Sequence, residues 1–158
     1  MRLRTLAAVA AATLLVPAVA DAAIVPQEGI AGVKIGMTQS EVREVLGAPK
    51  TNKRIVNEIA GDLRQWTYGK TTVTFDSTEK DAEVMTIVTR SAAERTAQGV
   101  GVGSTRATVR KKVPKVRCKA ESGYDHCYVG AFTPGAIITD FTMSRGKVSR
   151  VVVGLVID

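Results

Sequence analysis

Aromatic side chains are scarce: one Trp, three Tyr and three Phe in 158 residues. Such side chains supply most interface hot spots, so their scarcity argues against an aromatic-rich gripping surface. His126 is the single histidine, and Cys118 and Cys127 are the two cysteines. No further His or Cys exists to complete a metal site around them, and the acidic residues lack the spacing of a calcium loop. No metal or other cofactor is expected. His126 with Asp125 or Asp140 and a serine would compose a hydrolase triad, but no nucleophile elbow accompanies them. His126 therefore reads as an exposed strand residue. Gly99-x-Gly101-x-Gly103 has neither the GxGxxG spacing nor the lysine of a phosphate loop. The chain is read as non-enzymatic, with no catalytic residues.

One uncharged apolar run opens the chain, from Thr5 to Val16. It is shorter than the ~20 residues a membrane-spanning helix needs. Arg2 and Arg4 precede it, Pro17 breaks it, and Ala18-Val19-Ala20 and Ala20-Asp21-Ala22 follow as small-x-small cleavage sites. Residues 1–22 are expected to be a signal peptide cleaved near Ala20 to Ala22, the alternative being an uncleaved membrane anchor. The Ala-rich run points to a bacterial source. No cysteine stands near the cleavage site, so no lipid attachment is expected. The expected location is secreted or periplasmic, with no stable membrane span after cleavage. Export makes a Cys118–Cys127 disulfide the default reading. The net charge of +7 implies an anionic partner outside the cytoplasm, a protein or an envelope component rather than nucleic acid.

The rest of the chain reads as one pattern written twice. Aligning Gly32 with Gly99 also matches Val33 with Val100, Gly36 with Gly103, Thr38 with Thr105, Val42 with Val109 and Arg43 with Arg110. Residues 23–91 and 92–158 are thus expected to be two related units, the second diverged. Each opens with a helix. Thr38 and Glu41 compose a capping box, with Met37 and Val42 as the hydrophobic staple, and Gly47 and Pro49 stop the helix. In the second unit Thr105 caps, Val109 and Val113 pack, and Pro114 stops. Strands follow near residues 53–57, 63–68, 71–76 and 83–89, then 115–119, 125–129, 136–143 and 147–157. The predicted fold class is α+β, two tandem helix-plus-antiparallel-sheet units.

Gly36-Met37-Thr38-x-x-x-Val42-x-x-x-Leu46-Gly47-x-Pro49, with Trp66-x-Tyr68 and Phe75, resembles the SmpA/OmlA (BamE-like) domain. A tandem pair of such units is also similar to the secreted β-lactamase inhibitory proteins. The resemblance implies helices packed on an antiparallel sheet and a tendency to bind proteins. The expected function is an exported binding or scaffolding module of the bacterial envelope or extracellular space. The alternative is a secreted proteinaceous inhibitor of the β-lactamase inhibitory protein type. Trp66 and Tyr68 are expected to pack between sheet and helix.

The strongest site signal is basic. From Arg106 to Lys119 there are seven basic residues and no acidic one. Along Lys115-Val116-Arg117-Cys118-Lys119 charge alternates with apolar residues, which puts Lys115, Arg117 and Lys119 on one strand face. With Arg110, Lys111 and Lys112 they are the expected binding residues, against the bland reading of a solubilising surface. Cys127 and Val129 are expected inside, His126 and Tyr128 outside. The last strand is apolar on both faces, which implies either a central position or an apolar patch.

Overall fold

The computed structural model describes residues 23–58 and 61–157; the expected signal peptide lies outside them. Strands β1 (Ile24–Val25), β2 (Gly29–Ile30) and β3 (Val33–Lys34) form a small antiparallel sheet. Helix α1 (Gln39–Leu46) leads into β4 (Thr51–Asn57), β5 (Gly61–Tyr68), β6 (Thr71–Phe75) and β7 (Val84–Thr89). Helix α2 (Arg106–Lys112) leads into β8 (Arg117–Glu121), β9 (Tyr124–Val129), β10 (Ile137–Ser144) and β11 (Lys147–Leu155). These last eight strands make one antiparallel sheet, in the order β4-β5-β6-β7-β11-β10-β9-β8.

The expected fold class is corrected by this sheet. Among the described residues the chain is mostly antiparallel β-structure with two short helices, not two helix-plus-sheet units. The physical reason lies at the centre. β7 and β11 pair through Thr89↔Val151, Val88↔Val152, Ile87↔Val153 and Thr86↔Gly154. Two separate sheets would leave both strands with a bare hydrogen-bonding edge. They would also leave β11, apolar on both faces, at a margin. Joined, the two strands hide each other's edges, and β11 sits among neighbours.

Short helices of 8 and 7 residues fall below the ~12–15 residues at which an isolated helix becomes even marginal in water. Caps and packing hold them. The Thr38 N–H donates to Glu41 Oε2 at 2.7 Å and the Glu41 N–H to Thr38 Oγ1 at 3.4 Å, closing a capping box. At α2 the Thr108 N–H donates to Thr105 Oγ1 at 3.2 Å. Val42 and Val109 are each fully buried. Each helix entry is tied to the sheet by a glycine: the N–H of Gly36 donates to Val84 and that of Gly103 to Val148, both at 2.8 Å. Their φ values of 85° and 90° are ones that side chains beyond hydrogen resist.

The core lies between the helices and one face of the large sheet. Trp66, Phe75 and Phe141 are its largest members, joined by Val73, Ile87, Val151, Val153 and Cys127. Ile24, Ile30 and Val33 of the small sheet belong to the same cluster. Phe75 meets Trp66 edge-on at 4.7 Å, and the Arg43 guanidinium lies 4.8 Å from the Trp66 ring centre. Tyr68 packs beside this cluster and donates its hydroxyl to the Gly47 carbonyl at 3.2 Å. Burial raises the Tyr68 phenol above its ordinary pKa, against a lowering influence from Arg43. No helix among the described residues is long and apolar enough to cross a membrane.

Candidate functional site

Ladder partners across a sheet share a face, so the register lays out the second, open face. On β5 to β7 it carries Gln65, Thr67, Thr72, Thr74 and Thr86, all half-buried and uncharged, with exposed Thr51 and Lys53 beside them on β4. At the other end two cross-strand rows stand out. One runs Lys119–His126–Thr142–Arg150, the next Arg117–Tyr128–Asp140–Val152. The two-residue turn Ser122-Gly123, with φ of 48° and 80°, closes the β8–β9 hairpin and starts β9 at Tyr124.

These rows form an aromatic stripe on a polar floor. His126 stacks on Tyr128 at 5.1 Å between ring centres and lies 4.6 Å from Tyr124. Phe132, from the β9–β10 loop, meets Tyr128 edge-on at 4.9 Å. Beneath, His126 Nδ1 pairs with Asp140 Oδ2. The Tyr124 hydroxyl donates to Asp140 Oδ1 at 3.1 Å and the Thr142 hydroxyl to the same oxygen at 2.9 Å. Arg150 Nε donates to Thr142 Oγ1 at 3.0 Å. Asp140 is 5% exposed and His126 8%. A buried carboxylate is tolerated because both its oxygens are met. Tyr124 and Phe132 stay open to solvent, at 42% and 54%. Gly130 makes the turn that delivers Phe132: its φ is 105°, and a Cβ there would stand 2.8 Å from the Ile137 carbonyl oxygen.

His126 and Tyr128, expected to be exposed, are therefore covered by their neighbours. The sequence reading missed the stripe because its parts are far apart in the chain. Phe132 sits in a loop and Asp140 on the next strand. Strand alternation showed that His126 and Tyr128 share a face, and that signal pointed to the location without the cover.

The six basic residues expected to act together are divided by the sheet. Arg117 and Lys119 share the open face beside Tyr128 and His126. Arg117 lies 4.9 Å from the Tyr128 ring centre and donates to the Gly130 carbonyl at 2.6 Å; Lys119 pairs with Glu121 at 3.5 Å. Lys115 lies outside β8, in a left-handed turn at φ 56°. It borders a cleft of about 330 Å³ with Pro26, Gln98, Val113 and Val129. Arg110, Lys111 and Lys112 ride on α2, whose Val109 packs into the core on the opposite side. Lys112 donates to the Gln98 carbonyl at 3.2 Å. Cys118 and Cys127, directly opposite each other, form a disulfide that clamps the edge strand β8 to β9.

The hydroxyls nearest the His126–Asp140 pair, those of Tyr124 and Thr142, bond to the carboxylate rather than to the imidazole. A nucleophile–base–acid order needs the hydroxyl on the imidazole. No group of three His, Cys, Asp or Glu side chains placed to hold a metal ion occurs among the described residues.

No family model matches the chain, and no curated protein matches it in sequence. Among solved structures, a DUF4309 family protein (YjgB) from Bacillus subtilis is similar. It is 19% identical, aligned over 85% of this chain and 88% of that one, with a TM-score of 0.46. With no family model matching, the resemblance to the SmpA/OmlA (BamE-like) domain and to the β-lactamase inhibitory proteins is corrected. The residues that carried it have a local purpose. Gly36 turns the chain, Thr38 and Glu41 cap a helix, and Gly47 ends it. Any short capped helix entering a sheet protein uses the same residues.

Proposed function

We propose that the protein is an exported, non-enzymatic binding module that docks a protein partner on the open sheet face around Tyr124 and Phe132. The observation that carries this reading is where the scarce aromatics stand. Three of the six Tyr and Phe residues, with the single His, are gathered into one stripe outside the main core. Rigid, half-exposed aromatic rings are the usual anchors of protein interfaces. The disulfide supports an oxidising, extracytoplasmic setting, in keeping with the expected signal peptide. A secreted inhibitor that seats the same face on an enzyme is the second reading, favoured by the exposed pair Tyr124 and Phe132.

The test is affinity for an identified partner. The protein is used to capture material from envelopes and culture fluid of its source, and the captured protein is identified and purified. Tyr124→Ser combined with Phe132→Ser is expected to weaken binding to that protein by roughly a hundredfold, as loss of hot-spot anchors does, with thermal melting little changed. Unchanged affinity would remove the stripe from the interface.

A further inference from the structure

The chemistry of the partner follows from the charges around the stripe. Resting on the docking reading above, we infer that the stripe recognises an acidic protein segment that presents carboxylates on either side of an apolar side chain. Its aromatic centre is bracketed by cations: Arg117 and Lys119 on β8 at one side, Arg150 on β11 at the other. Three inter-strand steps of ~4.8 Å, with a two-residue offset along the strands, put the Arg117 and Arg150 backbones roughly 16 Å apart. That span suits carboxylates several residues apart on an extended segment or neighbouring strands.

The negative groups nearby do not cancel this field. Asp140 is buried and met by His126, Tyr124 and Thr142. Glu121 pairs with Lys119, which leaves the guanidinium groups of Arg117 and Arg150 as the outward charges. Arg117 is held over the Tyr128 ring by its bond to the Gly130 carbonyl and Arg150 is tied to Thr142 through Nε alone, so both remain positioned for carboxylates. A second copy of this chain fits poorly, because a two-fold contact through the stripe would set these cations against like charges. An anionic polymer offers no apolar group for exposed Tyr124 and Phe132 between the cations, so the protein occupant is favoured over it.

The experiment uses an array of random twelve-residue peptides, with polyphosphate and phosphatidylglycerol vesicles as parallel probes. Bound peptides are expected to be enriched in Asp and Glu flanking an apolar residue. Arg150→Glu and, separately, Arg117→Glu are expected to weaken the best peptide about tenfold, with circular dichroism unchanged. Phe132→Ser is expected to abolish peptide binding. Peptides that need Phe132 but show no acidic enrichment would overturn the partner class and leave the docking reading standing. Absence of any Phe132-dependent peptide would overturn both. Tighter, Phe132-independent retention on polyphosphate or vesicles would replace the protein partner with an anionic polymer or a membrane.

Discussion

At the scale of single residues, the carboxyl groups of Glu41 and Asp140 are each answered by specific partners. Glu41 is the clearest case. The Thr38 backbone N–H, and then its hydroxyl, hold the Glu41 carboxyl below its ordinary pKa. A lowered carboxyl stabilises the fold above its unfolded pKa and loses that contribution as pH falls through the folded one. Glu41→Ala is therefore expected to melt below wild type at neutral pH. That gap should close in acid, below the usual carboxylate range; a constant gap across the titration would show that the cap does not depend on charge. Thr38→Ala should cost about 1 kcal/mol, the usual worth of an N-cap. This capping box was legible in the sequence because all its atoms lie within four residues. The Asp140 network was not, because its partners come from β9 and β10 and meet through the register.

At the scale of elements, turns and periodicity carried most of the information. The large-sheet strands fall within a few residues of the expected bounds. Three differences have physical causes. β1, β2 and β3 are two residues each, too short to show alternation. β8 begins at Arg117 rather than Lys115, because the chain leaving Pro114 turns through a left-handed Lys115 before it extends. That turn takes Lys115 off the strand face that Arg117 and Lys119 share. The pairing of β7 with β11 is a contact between distant segments, which no local pattern encodes. β8, an edge strand paired with β9 alone, depends on the Cys118–Cys127 bridge across nine residues of separation. Replacing both cysteines with Ser should cost on the order of 2–3 kcal/mol. Amide exchange should rise first in Arg117–Glu121; uniform protection in the variant would show that β8 holds without the bridge.

At the scale of the whole molecule, the two faces of one sheet differ in chemistry. Its inner face carries the large apolar residues, with Trp66, Phe75 and Phe141 under the helices. Its outer face is bland across Thr67, Thr72, Thr74 and Thr86 and becomes aromatic and cationic toward β8 to β11. On the proposed reading, stability and recognition draw on opposite sides of the same strands. Substitutions at Tyr124 or Phe132 can alter binding while the inner core remains intact. A photo-crosslinking phenylalanine analogue placed at Phe132 tests this most directly, with the same analogue at Val45 on the exposed side of α1 as the comparison. The account predicts that, in native envelopes or culture fluid, position 132 crosslinks to one protein and position 45 does not. Equal yields from both positions, or crosslinks from position 45 alone, would contradict it.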